Sequence, residues 1–110
     1  MTKDLTANLE ALLAAGNDGA ALRLALATRY LQTGEPERAV THAAAAVAQD
    51  EAYSAAWKML GKAQAALGDA EAAAESFERG IEIAEQRGDH QAAKEMRVFL
   101  KRLGRPSPSG

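Results

Sequence analysis

Residues that stop helices punctuate the chain at steady intervals: Gly16-Asn17-Asp18-Gly19, Gly34-Glu35-Pro36, Asp50-Glu51, Gly68-Asp69 and Gly88-Asp89. A glycine there can take the left-handed conformation that ends a helix, and the acid that follows can cap the next N-terminus. Pro36 falls where a first-turn proline loses no hydrogen bond. Between the breaks apolar residues recur at spacings of three and four, as in Leu5, Leu9, Leu12, Leu13, then Leu22, Leu26, Tyr30, and later Phe77, Ile81, Ala84. The alternation expected of strands is absent. The pattern predicts an all-α chain of six helices, over 3–15, 20–33, 36–49, 53–67, 70–87 and 89–103. Residues 104–110 are rich in Pro, Ser and Gly and are expected to form a disordered tail.

Composition sets how such helices can pack. Of the 110 residues 47% are apolar, but 27 of the 110 are alanine, which favours helix and brings little area to bury. The expectation is one domain of closely approaching helices around a thin core of Leu, Val, Ile, Met and a few aromatics. Net charge is −2 with 25% charged residues, which fits neither a disordered chain nor a nucleic-acid-coating one. No cysteine is present, which excludes disulfides, thiolate nucleophiles and Cys-based zinc sites. The first residues carry no secretory h-region, and no uncharged apolar run approaches the ~18 residues of a membrane span, so a cytoplasmic location is expected.

Residues 20–53 and 54–87 form two units of 34 residues. Six aligned pairs are identical, among them Leu26/Leu60, Gly34/Gly68 and Ala39/Ala73. The second unit reads Trp57-x2-Leu60-Gly61-x2-Gln64, then Ala73-x3-Phe77; the first reads Arg23-x2-Leu26-Ala27-x2-Tyr30, then Ala39-x3-Ala43. This resembles the tetratricopeptide repeat family, whose helix–turn–helix unit carries W-x2-L-G-x2-Y, A-x3-F and P over ~34 residues. Each unit keeps about half of that signature and departs from it at different places. The resemblance implies a right-handed α-solenoid of antiparallel helix pairs. Small residues at Ala27, Gly61, Ala39, Ala73, Ala46 and Gly80 would let those helices approach, with Leu26, Leu60, Tyr30, Phe77 and Val47 filling the spaces between. Leu5, Leu9 and Leu12 fall one repeat length before Ala39, Ala43 and Ala46, so helix 3–15 reads as the second half of a degenerate leading repeat. Helix 89–103 is out of phase with the repeat and reads as a terminal cap with Ala92, Ala93, Met96, Phe99, Leu100 and Leu103 buried. The single domain would then span 1–103, and the layout is similar to small stand-alone bacterial proteins of the family.

Catalytic constellations are not found. His42 and His90 lack a partner at metal-ligand spacing, and both are expected to be solvent-exposed. Glu71, Glu75, Glu78, Glu82 and Glu85 form an acidic stripe on helix 70–87, read as a solvated face with Glu75 and Arg79 as an i, i+4 pair. Gly61-Lys62 lacks the upstream glycine of a phosphate loop. Arg87-Gly88-Asp89 reads as a turn and cap rather than as an adhesion motif. The chain is therefore expected to be no enzyme and to need no cofactor and no metal.

The resemblance instead implies a protein-interaction adaptor or scaffold whose ligand lies along the first helices of the repeats. It singles out Leu24, Thr28 and Leu31 from the first unit and Lys58, Met59 and Lys62 from the second. Lys58 and Lys62 are one turn apart beside apolar residues, which suits a protein or peptide combining acidic residues with apolar anchors. Leu24 and Thr28 stand where a carboxylate-clamp pair would be, which argues against that binding mode. The rival surface is the last helix, since residues 88–110 carry a net +3 against −5 for the rest. It could meet an anionic membrane surface or nucleic acid, though the few cations and the lack of interleaved aromatics argue against nucleic acid. A monomer or weak homodimer is expected, because a short array exposes both ends.

Overall fold

The computed structural model describes the backbone of residues 2–105 and the side chains of residues 5–105. Among the described residues there are six α-helices and no strand: α1 (Thr2–Ala14), α2 (Ala20–Gln32), α3 (Pro36–Gln49), α4 (Ser54–Ala66), α5 (Ala70–Gln86) and α6 (His90–Arg102). Each expected helix end lies within one residue of the observed one. The expected tail falls outside the described residues from position 106 onward.

Five of the six helices end alike. After α1, α2, α4, α5 and α6 a glycine takes positive φ, between 75° and 97°. The next residue's N–H then returns to a carbonyl five positions back, as in Glu35 to Tyr30, Asp69 to Gln64 and Asp89 to Ala84. Asp69 and Asp89 also cap the following helix, accepting from the N–H groups of Ala72 and Ala92. Asp18 is used differently. Its carboxylate takes two bonds from Arg23, at 2.7 and 2.8 Å, and one from Gln49 at 2.9 Å, pinning the start of α2 to the end of α3. The α3–α4 turn has no glycine. Asp50 Oδ1 accepts from Ala52 N–H at 3.1 Å, the Trp57 indole donates to the Glu51 carbonyl at 2.9 Å, and Arg87 donates to the Ala52 carbonyl at 3.0 Å.

Each helix packs on the next, and α2 also touches α4 as α4 touches α6, whereas α3 and α5 do not meet. The array therefore curves with α2, α4 and α6 on its inner side. Alanines make the close approaches: Ala27, Ala39, Ala43, Ala46, Ala56, Ala63, Ala73, Ala84 and Ala93 are fully buried. Leu26, Phe77, Ile81, Met96 and Leu100 supply the volume between them. Helix α5 has 17 residues against 14 for α3, so α6 starts 36 residues after α4 rather than 34. That two-residue lag is the phase break seen in the sequence. Even so, α6 packs on α5 and α4 as α4 packs on α3 and α2.

Two sequence expectations are corrected. His42 is buried, with its ring flat against Tyr30 at 5.5 Å. Tyr30 points toward α3 and covers the imidazole, and Arg23 donates to Nδ1 at 3.1 Å. His90 is exposed, as expected. On the acidic stripe Arg79 pairs with Glu82 at 2.9 Å instead of Glu75, while Glu85 is taken by Arg97 of α6.

Candidate functional site

On the inner side α4 and α6 lie side by side and enclose a groove of about 370 Å³, lined by Lys58, Lys62, Glu95, Val98, Phe99 and Arg102. Through Lys62, Phe99 and Arg102 it runs into a second, largely apolar hollow of about 350 Å³ that adds Leu31, Ala65, Phe77 and Leu103. The floor comes from the core outward. Phe77 is buried on α5, and Phe99 stacks on it with centroids 5.5 Å apart and planes 14° from parallel, so the outer ring forms the groove wall. Lys62 Nζ stands 5.4 Å from the Phe99 centroid and Arg102 Cζ stands 5.6 Å from it. Each such cation–ring contact is worth ~0.5–1 kcal/mol at an exposed site. Among the described residues neither cation has a carboxylate within ion-pair distance.

Lys58 differs from its neighbour one turn on. Its Nζ donates to Glu95 Oε1 at 2.7 Å, and Gln91 donates to the other oxygen of Glu95 at 3.3 Å. Those bonds, Lys58 first, hold the Glu95 carboxyl below the usual carboxylate range. The positive charge open to a ligand therefore sits on Lys62 and Arg102.

The six residues singled out in the sequence separate into three places. Leu31, Lys58 and Lys62 line the α4–α6 groove system. Leu24 and Thr28 line a different groove of about 530 Å³ between α1 and α2, and the Thr28 hydroxyl is already committed to the Leu24 carbonyl at 2.8 Å. Met59 is buried in the core with Ala43, Ala46 and Leu60 and offers nothing to a ligand. Phe99 and Arg102 are the residues the sequence reading missed. Phe99 looked like part of a buried stripe and Arg102 like an ordinary cation in a last turn. Their i, i+3 spacing with Leu103 adjacent is the signal that could have marked them as one face.

Among the described residues no group of three His, Asp or Glu side chains could hold a metal, and no helix is long and apolar enough to cross a membrane. The groove offers an aromatic wall, aliphatic floor and two cations, which suit recognition of a chain with apolar and acidic groups.

A sequence model of the tetratricopeptide repeat matches residues 20–63. The chain is 50% identical over 97 residues to the TPR repeat-containing protein PA0015 of Pseudomonas aeruginosa, covering 88% of this chain and 92% of that protein. The chain belongs to the tetratricopeptide repeat family. The solution structure of protein BPP2914 from Bordetella parapertussis has the same fold, with a TM-score of 0.78 and 42% identity over 90% of this chain and 86% of that one. Repeats of this family generally mediate contacts between proteins and are typically not enzymes. Helices α2 and α4 start 34 residues apart, and the groove lies where α6 sits against α4 and α5.

Proposed function

We propose that this tetratricopeptide protein is a non-catalytic adaptor that holds an acidic, apolar-anchored peptide or helix in the groove between α4 and α6. The observation that carries the reading is the pair Lys62 and Arg102 flanking the Phe99 ring, above a hollow lined by Leu31, Ala65 and Leu103. An apolar side chain of the ligand would enter the hollow, and its carboxylates would meet the two cations at the rim. Such contacts combine desolvation with charge complementarity.

A peptide library displayed on phage and selected on the purified protein tests this. Selected sequences should pair Asp or Glu with Leu, Ile or Phe, and Lys62→Glu/Arg102→Glu should weaken their binding tenfold or more. Selection of basic or featureless peptides, or equal binding by the double variant, would refute the groove. Binding to the apolar floor should survive ~200 mM salt, where purely phosphate-driven attraction falls steeply.

A further inference from the structure

We propose that the groove between α1 and α2 is a self-association site, filled by α1 of a second copy across a twofold axis. Repeat register shows what this groove is. One unit on, α2 lies against α3 and α4, and its Ala27 shares a core cluster with Ala43 and Ala46 of one and Ala56 and Met59 of the other. Thirty-four residues earlier these positions are Leu9, Leu12, Leu22 and Ala25, and Leu9 and Ala25 line the α1–α2 groove together with Leu5 and Leu24. The groove is therefore shaped for one helix running antiparallel to α1. Among the described elements α1 packs on α2 alone, and Leu5 and Leu12 are 47% and 48% exposed.

Charge selects the occupant. From residue 5 to residue 17 the only ionisable residue is Glu10, and its carboxylate accepts from Tyr30, beside His42 of α3 and outside the groove lining. The outward face, with Leu5, Ala7, Asn8, Ala11 and Leu12, is uncharged. Arg29, the charged residue on the α2 wall of the groove, donates to Thr6 and Gln32, and the α1 face sets no like charges against each other when it meets its own copy. The opposite end of the array carries exposed Lys94, Lys101, Arg102 and Arg105, so the same symmetric contact there would be repulsive. Leu5, Leu9 and Leu12, at spacings of four and three, form a short seam of coiled-coil type. A twofold axis through its middle runs the second α1 antiparallel to the first and parallel to α2, the direction the groove requires. Two helices about 20 Å long bury less than the ~1,200 Å² of a stable complex, even with the added contacts to α2. The dimer is thus reversible, with a Kd in the micromolar range or weaker.

Sedimentation equilibrium from about 10 µM to about 1 mM decides it. The expected result is an average mass rising from 11.6 kDa toward twice that value in the wild type and staying at 11.6 kDa in Leu5→Glu/Leu12→Glu. Because the chain lacks cysteine, Asn8→Cys at the middle of α1 should form an intermolecular disulfide on oxidation, and Ala48→Cys on α3 should not. A mass of 11.6 kDa at every concentration overturns the proposal and leaves the groove to a helix of some other protein. A dimer that persists in the double variant, or equal crosslinking at both cysteines, overturns it as well.

Discussion

The Tyr30 ring lies flat on the His42 imidazole, centroids 5.5 Å apart and planes 10° from parallel. One repeat later the same two positions are Gln64 and Ser76, and they are again joined, by a 2.6 Å hydrogen bond from the Ser76 hydroxyl to the Gln64 amide oxygen. The two repeats thus fasten first helix to second at one place with different chemistry. In the first repeat the contact is part of a polar cluster: Arg23 donates to His42 Nδ1, Tyr30 donates to Glu10, and Arg38 lies over the Tyr30 ring.

That cluster makes stability depend on pH. An Nδ1 that accepts from Arg23 leaves the ring hydrogen on Nε2, which lies 3.7 Å from Glu10, and the ring is neutral. Burial, opposed by Glu10 and helped by Arg23 and Arg38, lowers the His42 pKa below its ordinary 6.5. The unfolded chain therefore binds a proton before the folded one does. Stability from this group is fully present above pH ~6.5 and falls as pH drops toward the folded pKa, with a slope of at most ~1.4 kcal/mol per pH unit. Urea melts at pH 5 and 7.5 should show the loss in the wild type and a smaller one in His42→Phe. Equal losses in both would contradict the assignment.

Tyr30→Phe should cost about 1 kcal/mol by deleting the bond to Glu10 while keeping the stack on His42. Because among the described elements α1 packs its backbone closely on α2 and meets α3 through Glu10 and His42, the effect should concentrate in α1. Hydrogen exchange should accelerate in α1 more than in α4 or α5; uniform acceleration would show that the bond does not hold α1 in particular.

Gly61 and Phe77 have traded volume. A Cβ on Gly61 would stand 2.6–2.8 Å from three atoms of the Phe77 ring, which is 1% exposed and cannot withdraw. In the first repeat the corresponding pair is Ala27 and Ala43, both fully buried, where the smaller partner leaves room for a methyl group. Gly61→Ala should therefore destabilise by about 1–3 kcal/mol, overriding the ~1 kcal/mol that alanine gains in a helix. In a Phe77→Ala background the sign should reverse, with Gly61→Ala neutral or stabilising by up to about 1 kcal/mol. Melts of the four proteins measure the coupling; additive effects would contradict the trade.

Glu95 competes for the groove. It neutralises Lys58 across a partly exposed ion pair, which solvent screens and which contributes little to stability. Glu95→Gln should raise the affinity for an acidic peptide by up to about fivefold with little change in stability. Calorimetric titration checks this, and unchanged or weaker binding would place the ligand carboxylates away from Lys58.

The helix ends at Gly34, Gly68 and Gly88 were legible in the sequence because each is set locally, by a glycine and the acid after it, and the core was legible because small and large residues recur on a 34-residue period. His42 was not. Reading Ala43 and Val47 as the packing face put the histidine opposite it, and only its pairing with Ser76 one repeat on carries a hint of burial. The groove was half legible for a similar reason. Lys58 and Lys62 share a helix face, but the carboxylate that neutralises Lys58 lies 37 residues away. The aromatic wall that Lys62 faces comes from α6, which the extra length of α5 puts out of register with the repeat. Long-range partners brought in by a shifted helix leave no periodic trace.

Lys62, Arg102 and Phe99 together form the proposed ligand site. Amide shift mapping with a selected acidic, apolar peptide tests it most directly. Shifts should concentrate on residues 58–66 and 95–103 and on Leu31, and should be lost in Lys62→Glu/Arg102→Glu with the fold intact. Shifts centred on α3, or on the Glu71–Glu78 face of α5, or unchanged in the double variant, would contradict it.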